Sequence, residues 1–240
     1  HCEPAVRALV REAIITGRLD HPSIVPAYLL GRSDEGDPLL VMKRVEGVPW
    51  STLIHDDDHP AWKGFESDRL GRHLEILGQV CNAIELAHRR GVVHRDLKPE
   101  NVMVGDLGQV FVLDWGIAVA LEGERSSMLA GTPAYMAPEM LDGSADVDAR
   151  TDVYLLGAIL HEVLTRQPKH PGSLLSTVML SIARSEPYDY DASVPRELAA
   201  ICNRATAFDP ADRFESAIAL RDAVADYVRH RGSMDLVSEG

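Results

Sequence analysis

Apolar residues recur at helical spacing between Pro4 and Leu19, at Val6, Leu9, Val10, Ala13 and Ile14, and Gly17 followed by Asp20-His21-Pro22 ends the run. This spacing predicts a helix with one apolar stripe. Ile24 to Leu30 and Leu39 to Val45 read as strands, and the acidic, glycine-containing segment Ser33 to Pro38 between them reads as a hairpin turn. Ser51 to Asp68 is polar and includes three aspartates at 56–58, a pattern that predicts a solvated loop without function. Leu70, Leu74, Leu77, Cys81 and Ile84 then share one face of a long helix that ends at Gly91. Val102–Val104 and Val110–Leu113 predict two short strands around a Gly105–Gly108 turn. Four helices are expected after them, over about 152–165, 173–183, 195–207 and 217–230, with Pro195 in a first turn, Ser216 as a cap and Gly232 as a stop.

Strands early and helices late make an α+β pattern, a small lobe leading into a larger helical one. Its 240 residues suffice for one large domain or two small lobes with a substantial core. Lys plus Arg is 24 and Asp plus Glu 37, a net charge of −13. That balance argues against a general nucleic-acid or membrane-surface binder, whose affinity comes from neutralising phosphates. The three cysteines, Cys2, Cys81 and Cys202, are scattered and odd in number, which points to a reducing compartment without a disulfide framework. The longest apolar run, Val153 to Leu160, is far too short to cross a bilayer. The chain opens on His rather than Met and enters a helical pattern at once, so it is expected to be a piece of a longer, cytoplasmic or membrane-anchored protein.

The most informative run is His94-Arg95-Asp96-Leu97-Lys98-Pro99-Glu100-Asn101, between a helix and a short strand. Phosphoryl transfer to a hydroxyl needs a carboxylate to orient the hydroxyl and take its proton. It also needs a cation on the transferring phosphate and oxygen ligands for a hard metal ion. Asp96, Lys98 and Asn101 supply one of each, and Asp114, after the second short strand, adds a charged oxygen. Taken singly, each has a blander reading: Asp96 as a loop cap, Lys98 as a surface charge, Asp114 as a turn cap, Glu12 as an exposed helix residue, Met42 and Met103 as core. Only their company raises them.

The run resembles the catalytic loop H-R-D-x-x-x-x-N of protein kinases, Asp114-Trp115-Gly116 resembles D-F-G, and Ala137-Pro138-Glu139 matches A-P-E, in the family's order. The resemblance extends from about residue 4 to 230 and is nearest in style to bacterial serine/threonine kinases of the eukaryotic, Hanks type. It implies a bilobal, protein-kinase-like fold, with residues 1–45 as the remainder of the small lobe, 46–230 as the large lobe and 231–240 as a tail. By the same resemblance Asp96 is the catalytic base, Lys98 neutralises the γ-phosphate, and Asn101 and Asp114 hold Mg²⁺ or Mn²⁺. ATP is the co-substrate, bound with help from Glu12, the gatekeeper Met42, the backbones of Lys43 and Val45, Glu100, and Met103 on the pocket floor. Asp152 is expected to brace the catalytic loop, Arg213 to pair with Glu139, and Thr132 to position the substrate. His94 is expected as a packed brace and Trp115 as packing. Ser126 and Ser127, near Arg125, are candidate phosphorylation sites beside Arg95.

The implied partners are ATP and proteins bearing Ser or Thr, with self-association or autophosphorylation, and neither nucleic acid nor membrane contact in this segment. Family members carry a Gly-rich loop and a lysine on strands before the helix that contains Glu12; no G-x-G-x-x-G and no lysine precede Glu12 here. Without that lysine half of the triphosphate's charge clamp is missing, so the segment alone is expected to be a poor catalyst with an exposed strand edge and apolar face. Two alternatives remain beside the kinase reading: a pseudokinase that signals through partners, and a small-molecule phosphotransferase such as an antibiotic kinase. The latter class usually lacks Ala-Pro-Glu.

Overall fold

The computed structural model describes residues 3–120, 131–141 and 147–238. Helix α1 (Glu3–Thr16) packs on an antiparallel hairpin of β1 (Ala27–Arg32) and β2 (Pro38–Met42). The first strand begins three residues later than its apolar pattern suggested, after Pro26, which has no N–H to give to a ladder. On β2 the residues alternate, Pro38, Leu40 and Met42 half-buried and Leu39 and Val41 exposed. Leu29, the register partner of Val41, is exposed as well. The small-lobe sheet thus leaves an apolar face open.

The stretch expected to be a solvated loop is more structured than that. Helix α2 (Trp50–His55) buries Trp50, Leu53 and Ile54, and Trp62 follows in a turn of 3₁₀ helix. Their apolar side chains are too few and too close to the aspartate run to form a visible period. The aspartates themselves remain exposed, as expected. A three-stranded sheet, β3 (Val48–Pro49), β5 (Val102–Val104) and β6 (Val110–Val112), lies beside them in the order β3-β5-β6, and β4 (Val92–Val93) pairs with β7 (Val119–Ala120). The Val112 N–H donates to the Ser23 carbonyl at 2.8 Å, tying the small lobe's connection to β6.

The large lobe is built on α4 (Ala149–Thr165), in which every residue from Thr151 to Val163 is buried. The uninterrupted apolar run at its centre is what such a helix requires. Asp148 caps it, its side chain accepting from the Arg150 N–H at 2.7 Å. Around it stand α3 (Arg69–Arg89), α5 (Leu175–Arg184), α6 (Arg196–Ala205) and α7 (Ala217–Ser238). Gly157 permits the α4–α6 crossing, because a Cβ there would stand 2.6 Å from the Ala205 Cβ. Pro195 is the residue that caps α6 rather than a member of its first turn, and α7 runs on through Gly232, so that glycine is not a stop. Ser216 does cap, its hydroxyl accepting from the Ala219 N–H at 3.1 Å.

Candidate active site

The loop between β4 and β5 is held from beneath by one carboxylate. Asp152, in the first turn of α4 and fully buried, accepts from the backbone N–H groups of His94 (2.8 Å) and Arg95 (2.9 Å) and from His88 Nε2 (2.7 Å). Burial by itself would raise the Asp152 pKa. The hydrogen bond and charge of His88, with smaller help from His94 and the Arg95 amide, outweigh it and hold the group below the ordinary carboxylate range. Arg95 has a positive φ of 71°. A non-glycine residue there costs about 1–3 kcal/mol and persists only where its surroundings over-determine it, as two hydrogen bonds from adjacent amides to one buried carboxylate do.

His94 fixes the other side of the loop. Its Nε2 lies 3.2 Å from the Leu113 carbonyl and its Nδ1 accepts from the Asp96 N–H at 3.2 Å, which leaves one consistent neutral tautomer. Burial pushes its pKa down, against upward pulls from Asp152, the Leu113 carbonyl, Asp96 and Asp114. Its ring packs against Trp115, centroids 4.6 Å apart, and Trp115 is buried.

Above this base sits a closed polar cluster. Lys98 Nζ donates to Asp96 Oδ2 (3.0 Å) and to Thr132 Oγ1 (2.7 Å), and the Thr132 hydroxyl donates to Asp96 Oδ1 (2.7 Å). Asn101 Nδ2 donates to the Asp96 carbonyl (2.8 Å) and to Asp96 Oδ2 (3.3 Å). Each Asp96 oxygen is therefore aimed by a named donor. Asn101 Oδ1 has no protein partner among the described residues. Asp114, exposed and with a φ of 59°, uses one oxygen to accept from the Gly116 N–H at 3.2 Å.

This combination of an oriented carboxylate, an ammonium group, a free amide oxygen and a free carboxylate oxygen has counterparts in known proteins. The protein kinase domain family matches residues 2–224. The chain belongs to the protein kinase family. It is 35% identical over 92% of its length to the serine/threonine-protein kinase PknB of Mycolicibacterium smegmatis, and 34% identical over the same share to PknB of Mycobacterium tuberculosis. Serine/threonine-protein kinase PknD of Chlamydia trachomatis is 32% identical over 93% of the chain. The chain spans only 36% of the PknB sequences and 27% of PknD. Family membership carries the bilobal α+β fold of a bacterial Hanks-type catalytic domain and, in general, the use of ATP with a divalent metal.

The remaining residues singled out in the kinase pattern are less gathered. Met42, Val45 and Met103 are half-buried, and Lys43 and Glu100 are exposed. The Lys43 N–H donates to the Pro26 carbonyl at 3.1 Å, and its ammonium group lies over the Phe111 ring, 4.6 Å from the centroid. Glu12 comes close to the Asp-Trp-Gly segment: a Cβ on Gly116 would stand 3.7 Å from Glu12 Oε2 and 3.1 Å from Asp114 Oδ1. Partial burial, and then the Asp114 charge, raise the Glu12 pKa against a hydrogen bond from the Trp115 backbone. Arg213 is fully buried at its side chain and pairs with Glu139 through both terminal guanidinium nitrogens, at 2.7 and 2.8 Å. Arg125, Ser126 and Ser127 lie outside the described residues. His88 was not singled out from the sequence: a histidine near the end of a long helix carries no signal until Asp152 is seen beside it.

The donor set fits a hard cation. Asn101 Oδ1 and the free Asp114 oxygen are oxygen ligands of the type such ions prefer. Among the described residues no group of three or more His, Cys, Asp and Glu could hold a metal by protein ligands alone. Two protein oxygens suit an ion that arrives with phosphates and takes the rest of its shell from them and from water.

Proposed function

We propose that this chain forms the catalytic core of a serine/threonine protein kinase, which transfers the ATP γ-phosphate to Ser and Thr hydroxyls of protein substrates. The observation that supports the reading most directly is the Asp96 carboxylate, one oxygen aimed by Thr132 and the other by Lys98 and Asn101. In this reading Asp96 orients the incoming hydroxyl and takes its proton. Lys98 places positive charge on the transferring phosphoryl group, and Thr132 sets the geometry of both. Asn101 Oδ1 and Asp114 hold Mg²⁺ or Mn²⁺, and the bound ion neutralises charge on the phosphates. Met42, the Lys43 and Val45 backbones, Glu100 and Met103 line the nucleotide's place, and Asp152 acts through the loop as a positioning residue.

The similarity to relatives named as serine/threonine kinases, with Lys98 two residues after Asp96, supports the choice of hydroxyl. Residues 1–45 belong to the small lobe, 46–230 to the large lobe and 231–240 to a tail, in a cytoplasmic portion of a longer protein. No helix among the described residues is long and apolar enough to cross a membrane. Glu12 faces Asp114 with no lysine anywhere in residues 1–11. A cation between the two carboxylates would relieve that repulsion, so the 240 residues by themselves transfer phosphate poorly, and the full-length protein does so efficiently.

Incubation of the full-length protein with Mg²⁺, ATP and a generic protein substrate, followed by mass spectrometry of the products, tests the proposal. Phosphoserine or phosphothreonine that falls by about 10²–10⁴-fold in Asp96→Asn is expected. Phosphate on tyrosine alone, on a small molecule alone, or at equal levels in Asp96→Asn would overturn the reading.

A further inference from the structure

Between the end of α4, the segment 167–171 and α5, beside the Pro133–Tyr135 turn that follows Thr132, lies a cavity of about 390 Å³. Its walls include His161, Lys169, Arg184, Glu186, Leu180 and Pro187. None of them belongs to the proposed active site. Lys169 is only 7% exposed, yet no carboxylate among the described residues pairs with it. Its ammonium group donates one hydrogen bond, to the Glu186 carbonyl at 3.1 Å, and meets no other acceptor among the described residues. A buried ammonium with two idle N–H groups and no counter-charge is destabilising unless something completes it.

The groups around it supply no balancing negative charge. Burial, and then the Lys169 charge, push the His161 pKa to about 3 and the His170 pKa to about 4, so both rings are neutral. His170 is committed on both nitrogens, Nδ1 to Ser181 Oγ and Nε2 to the Tyr154 hydroxyl, each at 2.9 Å. His161 is not. The Tyr190 hydroxyl donates to Cys202 Sγ at 2.8 Å, so its oxygen accepts from His161 Nδ1–H at 2.8 Å, and Nε2 is left as a bare acceptor beside the cavity. Arg184 and Glu186 are exposed at the rim, one of each sign, so the Lys169 charge remains uncompensated.

We propose that this cavity binds a small oxyanion that also carries an acidic O–H, of which hydrogen phosphate is the simplest. Its anionic oxygens accept from Lys169 Nζ, its O–H donates to His161 Nε2, and the Arg184 guanidinium meets a further oxygen at the mouth. A simple halide would satisfy Lys169 but leave the imidazole acceptor unmet. A cavity of this volume has room for a phosphate and a short attached group, within the range of small-molecule sites.

Isothermal titration of the protein with inorganic phosphate, at constant ionic strength made up with chloride, tests this. A saturable site is expected, weakened roughly tenfold to a hundredfold in Lys169→Met, as loss of a charge-assisted hydrogen bond implies. Circular dichroism checks that the variant folds. Should it not fold, Arg184→Gln, an exposed change, must still weaken phosphate binding measurably. Absence of saturable binding to the folded protein, equal affinity in Lys169→Met or (if that variant is unfolded) in Arg184→Gln, or binding of a phosphoserine peptide but not of free phosphate would each overturn the proposal.

Discussion

Replacing Asp152 by Asn changes one oxygen for an NH₂ group and removes one charge, with almost no change of volume. Asp152 Oδ2 accepts from His94 N–H and His88 Nε2, and Oδ1 accepts from Arg95 N–H. An asparagine oxygen in the Oδ2 place keeps two of these bonds, now neutral, and its amino group then confronts the Arg95 N–H. Hydrogen bonds to a charged group contribute about 1.5–3 kcal/mol each against about 1 kcal/mol for neutral ones, and an orphaned buried donor costs about 1–3 kcal/mol. Two weakened bonds and one orphaned donor come to about 2–7 kcal/mol, which brackets the roughly 3–5 kcal/mol usual when one member of a buried charged network is removed. With a urea m-value near 3 kcal/mol/M, the unfolding midpoint falls by about 1–2 M. A shift under about 0.3 M would refute the claim that this carboxylate holds the loop.

The same substitution separates stability from function. Arg95 keeps its φ of 71° only while both neighbouring amides are drawn to one anion, so in the variant the residue relaxes and moves Asp96 with it. Phosphoryl transfer, assayed well below the variant's unfolding temperature, should therefore fall even though the protein is folded. Unchanged transfer by a destabilised variant would show that the loop's geometry is set elsewhere. The sign with pH is also fixed. Because the folded pKa is depressed, the stabilisation by Asp152 is present above its ordinary value of 3.8 and is lost as pH falls through the lower folded value.

Arg213→Lys should destabilise by about 2–4 kcal/mol by urea titration, because an ammonium cannot replace a fork that reaches Glu139 twice and the Ala207, Arg150 and Phe208 carbonyls besides. Buried His73 and His170 have folded pKa values near 4 against 6.5 in the unfolded chain, so their stabilising effect is full above pH 6.5 and declines as pH drops toward 4. Each lowers stability by about 2 kcal/mol at pH 5 relative to pH 7.5; a flat urea midpoint across that interval would contradict the assignment. Leu29→Lys with Val41→Lys, on the exposed face of the small-lobe hairpin, should shift sedimentation of the 240-residue chain toward monomer; an unchanged distribution would mean that face takes no part in association.

The apolar period of α3 and the solid apolar run of α4 were legible because each helix presents a continuous stripe or body to one core, whereas on α1 the stripe was read one residue off at its end: Ile14 is exposed and Ile15 is buried. Trp50, Leu53, Ile54 and Trp62 were not, because they reach that core from short turns in a stretch whose average is polar. Length decides the difference: a helix of six residues has no room for a second period. Gly232 misled for another reason. Glycine lowers helix propensity by only about 1 kcal/mol, and α7 continues through it. At the site, the spacing of Asp96, Lys98 and Asn101 on one loop was readable as chemistry. Thr132, 34 residues beyond Lys98, and His88, 64 residues before Asp152, join it only through the fold.

Those long-range partners meet at a single turn. Thr151 Oγ1 donates to Glu139 Oε1 at 2.8 Å, and the next residue, Asp152, holds the amides of His94 and Arg95. The first turn of α4 therefore fixes the Ala-Pro-Glu segment with one side chain and the Asp96 loop with its neighbour. Thr132 approaches Asp96 from the segment that leads to Glu139, so the two halves of the polar cluster are referred to one rigid origin. An α-helix buried at every residue from Thr151 to Val163 is the least deformable element available, since any shift of its axis would open voids on every side. Placing Thr151 and Asp152 at its capped start gives the Asp96 carboxylate and the segment that carries Thr132 a common reference. The small lobe meets this frame through separate links: the Ser23 carbonyl accepts from the Val112 N–H, the Arg18 carbonyl from Arg90, and Glu12 from the Trp115 backbone, so Glu12 is referred to the cluster through the Asp-Trp-Gly segment rather than through α4.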